Sequence, residues 1–180
     1  IIVGSETAVG IQKDLRDGIR WGLKITYLHQ EDPLGLAHCI IVAEEFLKQE
    51  SFVMYLGDNL LKGGIGPYLA NFEEKKPNAS VLLYHVPDPR EFGVAALDEN
   101  GGLNRIVEKP TSPPSNWAVI GIYFFDHNIV DAVRAIKPSR RGELEITDAI
   151  QWLIDEGFSV ACEKLQGWWK DAGQPDDLLE

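Results

Sequence analysis

Only two cysteines occur in these 180 residues, Cys39 and Cys162. Each lies inside an apolar run, and neither a C-x-x-C pair nor a framework spacing is present. That excludes a disulfide scaffold and leads to the expectation of a reduced, cytoplasmic protein. His29, His38, His85 and His127 show no ligand spacing; His38 and His85 read as packed, the other two as loop residues. There is no G-x-S-x-G, no H-E-x-x-H and no complete P-loop. Positive charge is scarce: 17 Lys and Arg face 28 Asp and Glu, for a net charge of −11. This argues against a nucleic-acid groove or an anionic membrane surface as partner. A phosphate-bearing small ligand stays open, because a divalent cation can reverse the local sign. No apolar run is long enough to span a bilayer, and no signal peptide, internal repeat or low-complexity segment is visible.

What remains is a composition of 44% hydrophobic and 25% charged residues. It fits one globular domain over 1–180, with no linker to divide it. The chain opens on Ile1-Ile2-Val3, a strand with no lead-in turn. It closes on Pro175–Glu180, which reads as the first turn of a helix. An internal piece of a longer protein is therefore expected.

Up to Pro87 the pattern alternates. Strands are expected at Ile1–Gly4, Leu23–Leu28, Phe52–Leu56 and Ala79–Val86, with helical spacing between them, as at Leu36, Ile40, Ala43 and Leu47. That is the signature of parallel βαβ layering. After Pro87 come strands at Val94–Leu97, Leu103–Glu108 and Trp117–Phe125, the first two joined by an Asn100-Gly101-Gly102 hairpin turn. Two helices follow, carrying Ile129 and Val133, then Ile146, Ala149, Ile150 and Leu153. Phe158–Leu165 and Gly167–Asp171 read as further strands. The second half is an extension of the same sheet, covering one ligand.

The chain is organised around FVMYLGDN, Phe52–Asn59. A short apolar run reads as a strand buried on both faces in a parallel sheet, and Gly57-Asp58-Asn59 as a strand-to-helix loop. Asp58 either holds a metal ion or caps the following helix. Gln30, Lys109 and Asp171 share its placement just after a strand. Parallel core strands would bring most of these four to one rim, where α/β sheets bind ligands. Two aspartates with one lysine suit a Mg²⁺–phosphate site, since Mg²⁺ takes one or two carboxylates and fills its octahedron with water and phosphate. Lys109 would supply compact positive charge, and Glu108 could accept bonds from sugar hydroxyls; the alternative is a solvated strand end. Gln30 offers a planar amide to a pyrimidine edge. The amide can flip, so Gln30 alone does not separate thymine or uracil from cytosine. Gly35 and Gly93 permit close approach of a ligand, or are turn glycines. Trp168-Trp169 is a stacking platform or, more commonly, core. Arg140–Glu145 is a charged loop entering a helix.

Seven motifs then occur in order: PLGLAHCI (Pro33–Ile40), YLGDN (Tyr55–Asn59), DPREFGVA (Asp88–Ala95), EKP (Glu108–Pro110), GIYFFD (Gly121–Asp126), RGELEITDAIQWLI (Arg141–Ile154) and WWKDAG (Trp168–Gly173). The set resembles the sugar-1-phosphate nucleotidylyltransferases, and among them the long form of the glucose-1-phosphate thymidylyltransferases, by VMYLGDN followed by GGI and by AIQWLI. The resemblance implies an α/β fold with a Rossmann-like core. Its sheet would be mostly parallel, with helices on both faces and a small β-rich sugar-binding extension. It implies transfer from dTTP to α-D-glucose 1-phosphate, giving dTDP-glucose and pyrophosphate, with Mg²⁺ as cofactor and homo-oligomers in the full-length protein. By motif, Asp58 and Asp171 match the metal aspartates and Lys109 the sugar-phosphate lysine. Gln30 and Gly35 match thymine contacts, and Asn59 a residue near the nucleoside sugar. Gly93, Glu108 and Val119 match glucose contacts. The family's glycine-rich G-G-x-G-T-R-L loop, with its Arg and a following Lys, is not in this sequence, and neither is the long form's C-terminal extension. The 180 residues alone are therefore expected to be weakly active or inactive. UTP- or GTP-dependent transfer, or a non-catalytic nucleotide-sugar-binding subunit of the same fold, are the alternatives.

Overall fold

In the computed structural model, Trp117–Phe125 is the longest strand, and eight of its nine residues are buried. The model describes residues 1–173; the helical turn expected at Pro175–Glu180 lies outside the described residues. The elements are β1 (Ile2–Gly4), α1 (Ala8–Leu15), a 3-10 turn (Ile19–Trp21), β2 (Leu28–Gln30), α2 (Leu36–Leu47), β3 (Phe52–Tyr55), β4 (Asn59–Leu61), α3 (Gly66–Lys75), β5 (Ala79–His85), β6 (Gly93–Leu97), β7 (Leu103–Glu108), β8 (Trp117–Phe125), α4 (Asn128–Ala135), α5 (Ile146–Asp155), β9 (Val160–Lys164) and β10 (Trp169–Asp171).

Six strands form the main sheet, in the order β7-β6-β8-β5-β9, with β3 also on β8. Along one edge β8 pairs with β5 from Ala79 opposite Phe125 to His85 opposite Trp117, with a register shift between Val81 and Leu83. Along the other edge it changes partner. Ile122–Phe125 pair with β3, and Ala118 and Val119 pair with the start of β6. Between them, Ile120 and Gly121 stand in register with neither strand, and the turn after β3 takes their place, Leu56 N–H donating to Gly121 O at 2.9 Å. A crevice at such a change of partner is where α/β sheets accept ligands.

The expected α/β architecture is present, with helices on both faces. α2, α4 and α5 cover one face through Ala37, Ile40, Ile129, Val133, Ala149 and Ile150. α3 covers the other, where Phe72 meets Leu82, Ile122 and Phe124. Coverage of both faces explains why WAVIGIYFF is apolar throughout rather than alternating. The pairing corrects the mostly parallel sheet. β3, β5, β6 and β9 do run one way, but β7 and β8 run the other, so within this sheet only β5–β9 pairs in parallel. β8 returns between β3 and β5 because the chain re-enters the sheet through the β6–β7 hairpin rather than a crossover helix.

Four local expectations change. The strand expected at Leu23–Leu28 is shifted to Leu28–Gln30, paired in parallel with β1. Leu23 and Lys24 are exposed instead, since no partner strand lies beside them among the described residues. FVMY is half-buried rather than buried on both faces, and its partner β8 is antiparallel. Gly57–Asn59 does not lead straight into a helix: a tight turn, Asn59 N–H to Leu56 O at 3.1 Å, starts β4, which pairs with β10. His85 is exposed, edge-on to Trp117, not packed inside. The Asp98–Gly102 hairpin is closed by the Asp98 carboxylate, which accepts from the N–H groups of Asn100 and Gly102, each at 2.8 Å.

Candidate active site

Asp58 and Asp171 are 113 residues apart in the chain, and one strand pair brings them together. β4 and β10 run antiparallel with Asn59 opposite Asp171, and the N–H of Ala172 donates to the Asp58 carbonyl at 2.8 Å. A Cβ added to Gly173 would lie 3.1 Å from Asp171 Oδ1 and 3.6 Å from Asp58 Oδ2, so both carboxylates border one point. No third His, Cys, Asp or Glu joins them in a cluster among the described residues. A pair of carboxylates opening to solvent fits a hard cation that completes its shell with water and phosphate, rather than an all-protein metal cage.

Behind this pair stands Asn59, 5% exposed, with both ends of its side-chain amide hydrogen-bonded. Its Oδ1 accepts from Gly121 N–H at 3.0 Å and from Trp169 Nε1–H at 2.8 Å. Its Nδ2 donates to Asp58 Oδ1 at 2.8 Å. Thus Asn59 ties the Asp58 loop to β8 and β10, and it is the Asn59 side chain that aims Asp58. Gly121 makes this possible, because a Cβ there would lie 2.6 Å from Asn59 Nδ2. Trp169 is core, 7% exposed, between Tyr84 and Phe92, while Trp168 faces out.

Across the crevice, Gly93 sits opposite both Glu108 and Val119. Thr147, from the first turn of α5, donates its hydroxyl to Glu108 Oε2 at 2.9 Å, and its methyl group presses where a Gly93 Cβ would be. Burial pushes the Glu108 carboxyl above its ordinary value, and the Glu145 charge adds to this. The Thr147 hydroxyl, Arg141 and Lys109 pull the other way. Arg141 is held mainly by the buried Glu145, at 2.9 Å, and reaches Glu108 Oε1 at 3.6 Å. Lys109 has φ 37°, outside the usual range for a side-chain-bearing residue. Such strain persists where the surroundings fix it, here by Lys109 N–H donating to Phe92 O at 3.0 Å. Beside Glu108 and Lys109 opens a cavity of about 620 Å³ that also takes in Thr111 and Arg141.

Gln30 and Gly35 form a third corner. Gln30 ends β2, and its Nε2 lies 3.2 Å from Gly35 O and 2.9 Å from His38 Nδ1. Gly35 has φ 102°, and a Cβ there would meet the Leu144 backbone at 2.5 Å, so its glycine serves the fit of α2's start against the chain entering α5. The four rim residues therefore do not share one set of carboxyl ends. β7 runs against β3, so Glu108 and Lys109 reach the crevice because β6 begins where β3 stops.

Sequence reasoning missed Tyr123. It is buried in β8 with its hydroxyl pushed well above the ordinary value, first by burial and then by the charges of Glu108 and Asp58. Both carboxylates therefore act on one floor residue. The signal was a hydroxyl inside the apolar run GIYFFD, where Phe would serve packing equally well. A further cavity, of about 480 Å³, lies elsewhere against Ile1, Trp21, Leu23 and Phe46, and its lining is mainly apolar.

The family model for nucleotidyl transferases matches residues 1–180. The glucose-1-phosphate thymidylyltransferase of Streptomyces antibioticus is 49% identical over the whole chain and 51% of its own length. The enzyme of the same name from Streptomyces griseus is 47% identical over the whole chain and 50% of its own length. The chain thus spans about half the length of these curated relatives. A crystal structure described as a glucose-1-phosphate thymidylyltransferase of Bacillus anthracis in complex with a sucrose superposes with a TM-score of 0.91 and 37% identity, over 99% of this chain and 72% of that one.

Proposed function

This chain belongs to the nucleotidyl transferase family, and from that premise we propose that the full-length protein joins dTTP to α-D-glucose 1-phosphate, forming dTDP-glucose and pyrophosphate. The names of the Streptomyces relatives support this reading. The observation that carries it is the convergence of Asp58 and Asp171 on one point, with Asp58 and Glu108 both near enough to Tyr123 to act on its hydroxyl. Mg²⁺ held by the two aspartates would offset phosphate charge where the α-phosphorus is attacked. Asn59 keeps Asp58 aimed, and the Lys109 ammonium, 3.7 Å from Glu91 Oε2 in this structure, would turn to the sugar phosphate. Glu108, fixed by Thr147, accepts from sugar hydroxyls above Gly93 and Val119. Gln30, with the Gly35 backbone beside it, faces the base. The sugar-phosphate oxygen attacks in line, the bond to pyrophosphate breaks, and the chain contributes position and charge neutralisation. The two cysteines are free thiols and no helix among the described residues can cross a membrane, which supports a cytoplasmic setting.

Pyrophosphate release by the full-length protein with glucose 1-phosphate, comparing dTTP, UTP and GTP with and without EDTA, tests the reading. The expected result is preference for dTTP and loss of turnover on chelation. Turnover confined to GTP, or nucleotide-sugar binding without turnover, would overturn it in favour of a guanylyltransferase or a binding subunit.

A further inference from the structure

The Gln30 amide has a defined hand. Gly35 O, 3.2 Å from Gln30 Nε2, is a carbonyl and can only accept, so the atom facing it must be the amide nitrogen. A flipped amide would set two lone-pair-bearing oxygens against each other there. The second Nε2 proton points at His38 Nδ1, 2.9 Å away. His38 therefore receives it on a bare Nδ1 and carries its own proton on Nε2. Both amide protons are then taken inside the protein. Only Oε1 is left for a ligand, touched by the Cys39 thiol at 3.5 Å, itself a weak donor. Burial pushes that thiol above its ordinary value, which keeps its proton in place.

The geometry points to His38 as a positioning residue that makes Gln30 an acceptor-only reader of the base. The inference rests on the proposed nucleotide site and deepens it. An acceptor at Oε1 takes the N3–H that thymine and uracil present on their Watson–Crick edge. It opposes the bare N3 of cytosine. A free amide could turn over and donate to cytosine N3; one pinned at Nε2 by His38 and Gly35 cannot. Selection against cytosine thus resides in a histidine on α2 that faces the amide rather than the base. The same contact does not distinguish thymine from uracil, since both carry N3–H.

The test compares kcat/KM for dTTP and dCTP in the full-length protein and two variants. His38→Leu removes the acceptor, whereas His38→Asn offers an amide oxygen near the position of Nδ1. Discrimination against dCTP is expected to fall about tenfold in His38→Leu and to be retained within about threefold in His38→Asn. An unchanged dTTP:dCTP ratio in His38→Leu, with turnover intact, overturns the inference and leaves the proposed function standing. Absence of turnover with any pyrimidine triphosphate in the wild type overturns both. Independently of any variant activity, ¹⁵N-histidine spectra of the wild-type protein report the tautomer, with the His38 signal identified by its loss in His38→Asn. A bare Nδ1 supports the assignment, and a protonated Nδ1 overturns it.

Discussion

At the Asp58–Asp171 end of the crevice the Asp58 carboxylate reaches solvent, while the Asn59 amide that aims it is buried. At the Glu108 end the order is reversed: the Glu108 carboxylate is itself drawn out of water, and the Arg141 guanidinium near it stays largely exposed. The difference follows from what each end would bind. A hydrated cation with phosphate oxygens brings its own shell and needs open charge in a fixed place. A neutral sugar hydroxyl is recognised by one acceptor whose competing water has been removed. On the proposed function, burial at the Asp58 end would serve geometry, and at the Glu108 end it would serve affinity.

The largest effect that would break this contrast is on turnover. Asp58→Asn keeps the oxygen that accepts from Asn59 but loses the charge. Activity of the full-length protein is expected to fall about a hundredfold or more, with Mg²⁺ dependence weakened. Its unfolding free energy by urea titration should stay within about 0.5 kcal/mol of wild type, as for other solvent-facing substitutions. A large loss of stability would mean that Asp58 is structural. Asn59→Leu should show the opposite balance. It leaves the Gly121 N–H and Trp169 Nε1–H without their buried acceptor, and an unfolding penalty of about 2–4 kcal/mol is expected by urea titration.

Glu108→Gln sharpens the other end. The folded-state carboxyl titrates above its unfolded value, so its ionisation opposes folding. That opposition sets in as pH rises from the unfolded carboxylate range through the folded one. At neutral pH the Gln variant should therefore melt no lower than wild type, and its advantage should vanish as pH falls below the unfolded range. KM for the sugar phosphate should rise about tenfold, read from initial rates. A lower melting temperature at neutral pH would contradict the assigned cost of burial. The smallest effect is expected for Thr147→Val, which keeps the methyl contact with Gly93 but removes the hydroxyl from Glu108. A stability change of about 1 kcal/mol or less, with a few-fold rise in KM, is the expected outcome by thermal denaturation and steady-state kinetics.

The strands Leu103–Glu108 and Trp117–Phe125 and the two helices after Asp126 were legible because each carries its own period or an unbroken apolar run. Leu23–Leu28 failed for the reason that makes strand propensity a weak guide: β-branched and aromatic residues form a strand only where a partner offers hydrogen bonds. At the candidate site, residue type pointed to Asp58, Asp171, Glu108 and Lys109 together. The role of Asn59 was not legible, since a buried amide bonded to Gly121 and Trp169 looks the same in a sequence as an amide in water.

By itself the sequence determined the chemistry on offer: two well-separated aspartates, a Glu-Lys pair and an amide, in an acidic chain of alternating helices and strands. It did so because side-chain chemistry and local periodicity are properties of residues and their near neighbours. Only the tertiary structure decided the direction of β8, the meeting of Asp58 with Asp171, the burial of Glu108 and the hand of the Gln30 amide. Those depend on pairings between residues far apart in the chain, whose register is set by packing both faces of one sheet rather than by any local signal.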